Sequence, residues 1–280
     1  MRIANLAGRL HLVTRAGAVD VERASHGRFG ADPQAVYDDW AAFRTWAREA
    51  PADAAAAAVR DADLDAPAPR PRQVFAIGMN YRDHAAEAGL PIPERPAAFT
   101  KFPTCLAGPH ADVPLPTPTV DWEVELVVVI GRRAHRIAEA DGWAHVAGLA
   151  VGQDYSERVL QWAAGGQFSL GKSFPAFGPF GPMLVTPDEL STPDDLAIAC
   201  RVNGETVQSS RTSDMVFGVP RLLADLSAIV PLLPGDAVFT GTPAGIGATR
   251  SPARFLQPGD VVESEIEGLG TIRNRCVAAG

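Results

Sequence analysis

Apolar runs alternate with glycine- and proline-rich stretches along this chain, and most of the runs have the spacing of β-strands. Residues 2–22 alternate loosely around two glycines, which predicts two or three short strands. Residues 36–48 carry apolar side chains at helical spacing, and the alanine-rich residues 53–59 predict a second helix. The N-terminal part therefore mixes strands and helices.

A proline-rich connector at residues 66–71 predicts an extended segment and the end of this N-terminal part. We place the boundary near residue 70, which gives a small α+β domain over 1–70 and a larger domain over 71–280. Apolar runs in the larger domain predict strands at 74–78, 121–131, 146–152, 197–202, 205–209, 237–240 and 261–266, and helices after His84, over 155–162 and over 219–230. Because strands and helices do not alternate regularly, we expect a mixed, strand-rich α+β fold.

The strand predicted over residues 121–131 contains two glutamates near its start and an unbroken apolar run after them. Side chains two positions apart point the same way in a strand, so Glu123 and Glu125 share one face. Two carboxylates about 4 Å apart repel by roughly 4 kcal/mol at an effective dielectric constant near 20. A hard dication such as Mg²⁺, Mn²⁺ or Ca²⁺ would reverse that interaction. The alternative is the wet end of an edge strand, with both glutamates in solvent.

Asp154 is a third acidic candidate, because it follows the buried strand predicted at 146–152. Side chains at strand ends commonly enter a cleft, so Asp154 completes a possible three-carboxylate site with Glu123 and Glu125. The alternative is that Asp154 is the N-cap of the helix predicted to begin at Tyr155.

His84 and Glu87 lie three positions apart in a segment that predicts a helix, so they share a face. A carboxylate can orient an imidazole and stabilise its charged form, which suits a general base at neutral pH. The alternative is an exposed pair on a surface helix, worth only a few tenths of a kcal/mol.

Arg158 and Gln161 follow Asp154 by four and seven positions, which stacks all three on one side of a helix if the helix starts at 155. Arginine binds carboxylates bidentately, so these residues are candidate contacts for an anionic substrate. Lys172 lies in a glycine-rich loop, where it could approach a ligand closely; the alternative is a solvated loop lysine. Thr242 lies in a glycine-rich turn that lacks the spacing of a nucleotide-binding loop, and we expect this turn to present Thr242 to a cleft.

The composition agrees with small-molecule chemistry. The chain has 280 residues, 46% hydrophobic and 21% charged, and a net charge of −8 without a basic block, which argues against nucleic acid or anionic membranes as partners. Three widely spaced cysteines frame neither a disulfide scaffold nor a zinc site. We expect a cytoplasmic protein without a secretion signal or a membrane span.

These segments, in this order, resemble the fumarylacetoacetate hydrolase family over roughly residues 74–277. The motifs that carry the resemblance are residues 78–84 with Glu87, 121–125, 153–154 with Arg158 and Gln161, 171–174, 203–205, 212–215 and 241–247. The resemblance implies a rolled, mixed β-sheet catalytic domain, a smaller N-terminal domain and a homodimer.

The resemblance also implies roles for individual residues. Glu123, Glu125 and Asp154 would bind Mg²⁺ or Mn²⁺, and His84 with Glu87 would activate water. Lys172, Arg158, Gln161 and Thr242 would contact the substrate, and Lys172 would also stabilise developing negative charge. The fumarylacetoacetate-cleaving branch has a fourth acidic ligand where this chain has Ile77. Ca²⁺, which prefers more oxygen ligands, is therefore less favoured than Mg²⁺.

The chain thus resembles the branch that acts on acylpyruvates and related 2-oxo acids. The first function that the resemblance implies is metal-dependent hydrolysis of a carbon–carbon bond in an acylpyruvate-like substrate, through a metal-bound enolate. Decarboxylation of oxaloacetate or a related β-keto acid, and isomerisation of an unsaturated 2-oxo dioate, use the same enolate and stay open. A different class is a catalytically idle homologue that binds metal.

Overall fold

The computed structural model of the chain describes residues 1–50, 56–89, 91–163 and 165–280. Its strands are β1 (Arg2–Leu6), β2 (Arg9–Thr14), β3 (Gly17–Asp20), β4 (Leu64–Asp65), β5 (Val74–Gly78), β6 (Ala97–Thr100), β7 (Leu106–Ala107), β8 (Val113–Leu115), β9 (Val120–Asp121), β10 (Val124–Ile130), β11 (Val146–Gln153), β12 (Ser156–Glu157), β13 (Gly178–Val185), β14 (Ala197–Val202), β15 (Glu205–Arg211), β16 (Ala237–Phe239), β17 (Val261–Ile266) and β18 (Gly270–Ala278). Its α-helices are α1 (Val21–Ala24), α2 (Trp40–Glu49), α3 (Arg82–Glu87), α4 (Arg158–Ala163) and α5 (Val219–Ser227). Short 3₁₀ helices cover Ala35–Asp39, Asp61–Asp63, Pro103–Cys105, Glu139–His145, Pro187–Glu189 and Thr212–Asp214.

The strands form two large sheets. Within the described residues, eleven strands make a mixed sheet in the order β3-β2-β1-β13-β11-β10-β16-β5-β6, with β4 beside β1 and β7 beside β13. A second sheet has the order β15-β14-β17-β18-β8. The pairing is mostly antiparallel, but three pairs are parallel within the described residues: β16 with β5, β8 with β18 and β7 with β13. The predicted strand-rich α+β class is confirmed.

The central strand β10 is buried along its whole length. Val124, Leu126 and Val128 face a core that is closed by the second sheet and α5. Val127 and Val129 face a second core, to which α2 and the N-terminal strands contribute. Side chains alternate along a strand, so two apolar layers explain why the sequence of β10 is an uninterrupted apolar run after Glu125.

The first 50 residues are joined to the large sheet, because β1 pairs with β13. The boundary that we place near residue 70 stays a prediction. The helix predicted over 53–59 is wrong at 56–59, where Ala57 instead pairs with Ala18 in an isolated β-bridge; residues 53–55 lie outside the described residues. Alanine's helix propensity amounts to only a fraction of a kcal/mol per residue, so a tertiary contact can override it.

One edge of the large sheet collects the ends of four strands. β10 begins opposite the end of β11, because Val124 pairs with Gln153. β16 and β5 are parallel and both end at this edge, and β16 pairs with β10 in antiparallel fashion. Residues just before β10 and just after β11, β16 and β5 are therefore brought together.

Among the described residues, no helix is both long and apolar enough for a membrane span.

Candidate active site

Three acidic side chains converge at this edge of the sheet. Glu123 lies just before β10, Glu125 is its second residue, and Asp154 follows β11 directly. One carboxylate oxygen from each lies within 4.8 Å of the others, and all three residues are buried. The predicted juxtaposition is therefore present, whereas the alternative of solvent-exposed glutamates is wrong.

Three cations surround the carboxylates. Lys172 Nζ lies 2.6 Å from Glu123 Oε2 and 2.7 Å from Asp154 Oδ2. Lys101 Nζ donates to Asp154 Oδ1 at 2.6 Å and also to the backbone oxygens of Lys172 and Phe177. Arg158 donates to Glu123 Oε1 at 2.6 Å. Glu123 and Asp154 are thus each bound by two cations.

Glu125 is different, because its carboxylate accepts one hydrogen bond, from the Gly241 N–H at 2.9 Å, and has no ion pair within the described part of the chain. Burial raises the pKa of Glu125 well above its ordinary value, and the charges of Asp154 and Glu123 raise it further. Burial also raises the pKa of Glu123, but the charges of Lys172 and Arg158 outweigh this effect and lower it to about 2. Negative charge is therefore costly at Glu125 and stabilised at Glu123.

The charge balance of the cluster leaves room for one more cation. With Asp121, which Arg158 also contacts at 2.8 Å, there are four carboxylates against three cations when Glu125 is ionised, a state that a further positive charge would favour. A dication with bonds of about 2.1 Å holds opposite oxygens about 4.2 Å apart, and the three carboxylate oxygens here lie within 4.8 Å of one another. The all-oxygen donor set suits Mg²⁺ or Mn²⁺, and each carboxylate oxygen has a second lone pair available. Glu123, Glu125 and Asp154 thus fit a divalent metal, which would turn the surplus negative charge into a positive one.

His84 and Glu87 form the predicted pair on α3. His84 Nδ1 lies 3.1 Å from Glu87 Oε2, and the other carboxylate oxygen of Glu87 accepts from the Gly245 N–H at 3.0 Å. Burial raises the pKa of Glu87, but its hydrogen bonds to His84, Thr249 and Gly245 outweigh this and lower it. With Nδ1 engaged, Nε2 is the imidazole nitrogen that is available for proton transfer. His84 is buried, so the alternative of an exposed surface pair is wrong for this residue.

A cavity of about 210 Å³ connects the two groups. His84, Glu123, Arg158, Gln161, Lys172 and Thr242 line it, together with an apolar wall that includes Phe99, Trp162, Phe168 and Ile246. The structure therefore brings six of the nine candidate residues to one cavity, with Glu125, Asp154 and Glu87 directly behind them. At about 30 Å³ per water molecule, the cavity has room for roughly seven waters, which suits a small substrate.

Two details of the sequence interpretation are wrong. α4 begins at Arg158, and Asp154 therefore neither caps this helix nor shares a side of it with Arg158 and Gln161. Residues 156–157 instead form β12, which pairs with β9. Arg158 meets the cluster through Glu123, and its Nη1 also donates to Gln161 at 3.0 Å. The proximity was predicted, but the geometry that produces it was not.

Lys101 is the clearest residue that the sequence interpretation missed. It is buried although it is a lysine, and it contacts Asp154 directly. The sequence carries a signal for it, because only two of the 25 basic residues are lysines, Lys101 and Lys172, and the other 23 are arginines. Arginine binds carboxylates as a broad planar fork, whereas a lysine ammonium is a compact point charge that fits between closely spaced oxygens.

The comparisons with known proteins agree on one family. The family model described as fumarylacetoacetate (FAA) hydrolase C-terminal matches residues 73–277. The human protein named oxaloacetate tautomerase FAHD2A, mitochondrial, is 48% identical over 208 residues, a match that spans 73% of this chain and 66% of that protein. A solved structure from Mycobacterium smegmatis is 54% identical over the full length of both chains, with a TM-score of 0.94. Maleylpyruvate hydrolase from Sphingobium sp. SYK-6, solved with manganese(II) and pyruvate, is 26% identical over both full lengths, with a TM-score of 0.79.

Proposed function

Because the chain belongs to the fumarylacetoacetate hydrolase family, whose members include enzymes of small 2-oxo acids, we propose that it is a metal-dependent enzyme that interconverts the keto and enol forms of oxaloacetate. The observation that carries this proposal is that two groups meet at one small cavity. One is the candidate general base His84 with its partner Glu87, and the other is the three-carboxylate cluster. The similarity to an oxaloacetate tautomerase favours this substrate over other 2-oxo acids.

Glu123, Glu125 and Asp154 would hold Mg²⁺ or Mn²⁺. Such an ion, when bound, supplies positive charge that stabilises negative charge developing on the keto oxygen of the substrate. The ammonium of Lys172, which lies between Glu123 and Asp154, adds to the same effect, since burial leaves it weakly screened. Burial lowers the pKa of Lys172, but Asp154 and Glu123 outweigh this and raise it, so the side chain stays charged.

Tautomerisation needs one proton to move between a carbon and an oxygen of the substrate. His84 Nε2 takes the proton from the carbon next to the keto group, and the electron pair of the broken C–H bond forms the enolate. His84 then returns the proton to the enolate oxygen, and the reverse order converts enol to keto. Glu87 holds Nδ1 and stabilises the imidazolium that exists between the two steps.

Hydrolysis of an acylpyruvate, the first function that the resemblance implies, is our second candidate. The observation that favours it is the apolar wall of the cavity. There the rings of Phe99 and Phe168 pack edge to face with their centroids 5.5 Å apart, and the Trp162 ring packs against Phe168 with the centroids 4.9 Å apart. An apolar acyl group would pack there more favourably than a second carboxylate. In this reaction His84 takes a proton from water, and the resulting hydroxide attacks the acyl carbonyl carbon. The carbon–carbon bond then breaks, which gives a carboxylic acid and the pyruvate enolate, and the enolate receives the proton from His84.

A substrate panel tests both candidates with one preparation. The purified protein is assayed with Mg²⁺ or Mn²⁺ and with a chelator, on oxaloacetate for loss of enol absorbance and for CO₂ release, and on acetylpyruvate for pyruvate release. We expect metal-dependent loss of the enol without stoichiometric CO₂. Pyruvate release from acetylpyruvate would favour the second candidate, and CO₂ release the decarboxylase alternative. If the protein acts on none of these 2-oxo acids in the presence of metal, the catalytically idle homologue is the best description.

The cytoplasmic location and the homodimer predicted from the sequence stay proposals. Light scattering coupled to size exclusion measures the second directly: a mass near twice the 29.6 kDa of the chain supports a dimer, and a mass near the single-chain value contradicts it.

A further inference from the structure

We propose that Gln208 is a positioning residue that fixes the metal-binding half of the site relative to the His84–Glu87 half. It acts through residues 240–245, which we call the bridging loop. This inference rests on the proposed function for its kinetic consequences, but its structural consequences are measurable without turnover.

The bridging loop contacts both halves of the site. The Gly241 N–H donates to Glu125 Oε2 at 2.9 Å, which holds a metal-ligand candidate. The Gly245 N–H donates to Glu87 Oε1 at 3.0 Å, which holds the partner of His84. The two glycines are four residues apart on one loop, so the shape of the loop sets the position of Glu125 relative to Glu87.

The bridging loop cannot keep its shape by regular secondary structure, because it lies beyond the end of β16. Gly241 and Gly245 have φ angles of 103° and 107°, which side-chain-bearing residues rarely adopt. A Cβ at Gly241 would lie 2.8 Å from Cβ of Asn80, and one at Gly245 would collide with the backbone oxygen of Val207. The loop is therefore tightly enclosed, and its position depends on the side chains that bind it.

The bridging loop contacts β10 directly, because Thr242 Oγ1 donates to the Val124 oxygen and Thr240 Oγ1 to the Leu126 oxygen, both at 2.9 Å. Gln208 adds a third connection, from the second sheet. It lies on β15 in the second sheet, is 2% exposed, and reaches across to the edge of the large sheet. Its Oε1 accepts from the N–H of Val124, the residue between the two glutamates, at 3.0 Å. Its Nε2 donates to Thr242 Oγ1 and to the Pro243 oxygen, both at 2.8 Å. One buried amide therefore uses three hydrogen bonds to hold β10 and the loop together.

The same molecule offers a natural comparison in Gln153. This buried glutamine accepts from the Glu123 N–H at 2.8 Å and donates to Ser264 Oγ at 2.8 Å. Like Gln208, Gln153 therefore connects the segment that carries Glu123 and Glu125 to the second sheet. Unlike Gln208, it makes no hydrogen bond to the bridging loop, all of which is among the described residues. Loss of Gln153 should disturb the metal half alone, whereas loss of Gln208 should disturb both halves.

The experiment compares Gln208→Met, Gln153→Met and Gln73→Met in the full-length protein. Gln73 is the control, because its Nε2 also makes two hydrogen bonds, to the Pro231 oxygen and to Asp236 Oδ2, at the opposite end of β5. Five strand residues separate that end from the site, which is about 16 Å. Circular dichroism and the thermal midpoint establish that each variant is folded. Gln208→Glu, which keeps an acceptor for Val124, replaces Gln208→Met if the latter does not fold.

Two measurements, metal affinity and kcat at saturating metal, distinguish the role of Gln208 from that of Gln153. We expect Gln153→Met to weaken Mg²⁺ or Mn²⁺ binding, seen as a shifted thermal-stabilisation curve, and to regain activity to within about threefold of wild type when metal is saturating. We expect Gln208→Met to keep a deficit in kcat of roughly 10- to 100-fold at saturating metal, since a displacement of about 1 Å between reacting groups costs that much. Equal recovery of both variants would overturn the proposal.

A second readout does not depend on turnover. Gly245 holds Glu87, and Glu87 holds His84 Nδ1, so a displaced bridging loop should change the NMR resonances of the His84 imidazole, assigned with a His84→Gln variant. We expect that change in Gln208→Met and not in Gln153→Met or Gln73→Met. An unchanged His84 spectrum in Gln208→Met would refute the positioning role. If Gln208→Met shows the change in the His84 resonances but the wild-type protein acts on no 2-oxo acid, the positioning role stands and the proposed function is refuted.

Discussion

The two halves of the site are built on elements of very different strength. The metal-ligand candidates lie just before β10, near its start and just after β11. These two paired strands are in the middle of the large sheet, and all of their residues are buried. His84 and Glu87 lie on α3, a six-residue helix without a side-chain cap. A helix this short is marginal in water by itself. The three carboxylates are thus held rigidly by the buried central strands. The His84 imidazole depends instead on a few tertiary contacts of α3, such as the Gly245–Glu87 hydrogen bond.

This contrast predicts that changes in the metal half and changes in the base half have separable effects. The metal half has to tolerate like charges before an ion arrives, so it requires a stiff scaffold. The base half has to exchange protons, so it requires the correct orientation of one imidazole more than it requires stiffness. Variants in the first half should change metal binding and stability together, and variants in the second should change turnover alone.

The largest effect is expected for Glu125→Gln. Loss of a metal ligand removes charge stabilisation worth several kcal/mol, so activity should fall by about 10⁴-fold. Metal-dependent thermal stabilisation, worth about 2.7 kcal/mol at a hundredfold excess over Kd, should disappear. Retention of metal-dependent stabilisation in this variant would contradict the assignment of Glu125 as a ligand.

The metal-free protein should respond to the same substitution in the opposite direction. Burial and the charges of Asp154 and Glu123 raise the pKa of Glu125 above its value in the unfolded chain. A group with a raised pKa contributes its full stability below pH 4, where it is protonated in both states, and loses it as the pH rises. Glu125→Gln should therefore stabilise the metal-free protein by roughly 1–3 kcal/mol at neutral pH and by much less near pH 4. Denaturant unfolding of both proteins at the two pH values measures this difference.

His84→Ala should lower kcat by about 10³-fold, because proton transfer by a positioned base typically contributes 10²- to 10⁴-fold. Metal-dependent thermal stabilisation should be unchanged, since His84 makes no hydrogen bond to Glu123, Glu125 or Asp154 within the described residues. Lost metal binding in this variant would show that the two halves are not separable.

The same contrast explains how much the sequence reveals. The pair of glutamates was predictable, because side chains alternate along an extended segment and Glu123 and Glu125 are two positions apart. Asp154 was predictable as a residue at a strand end, and the resemblance to one family placed His84 beside the three carboxylates. The start of α4 was not predictable from local pattern, because residues 156–157 pair with β9, and that pairing depends on the tertiary fold. Lys101 and Gln208 were missed for a similar reason. Lys101 directly follows β6 and Gln208 lies on β15. Both are remote in sequence from the residues that they contact, and no local spacing encodes such a contact.

A smaller effect is expected at Lys101, which binds Asp154 and two backbone oxygens from beneath the metal site. Lys101→Met leaves one oxygen of Asp154 without its cation, so metal affinity should fall by 10- to 100-fold, as is usual when a partner of a metal ligand is removed. Lys101→Arg keeps the charge, but the broader guanidinium does not fit the same space. It should therefore recover only part of the affinity. Calorimetric titration with Mn²⁺ checks the order wild type, Arg variant, Met variant, and equal affinity in all three would contradict this role.

The smallest effect is expected at the apolar wall. Trp162 lines the cavity but is 58% exposed, so Trp162→Ala should change the free energy of unfolding by less than about 1 kcal/mol. If an acyl group packs against this wall, KM for acylpyruvates should rise by roughly three- to tenfold and more for longer acyl groups, whereas KM for oxaloacetate should stay the same. Val159→Ala is the matched control, because Val159 lies on the same helix, is 66% exposed and is not among the cavity-lining residues. An equal rise in KM for oxaloacetate and for the acylpyruvates would mean that the wall does not distinguish them, and the argument for acylpyruvates as substrates would lose its structural basis.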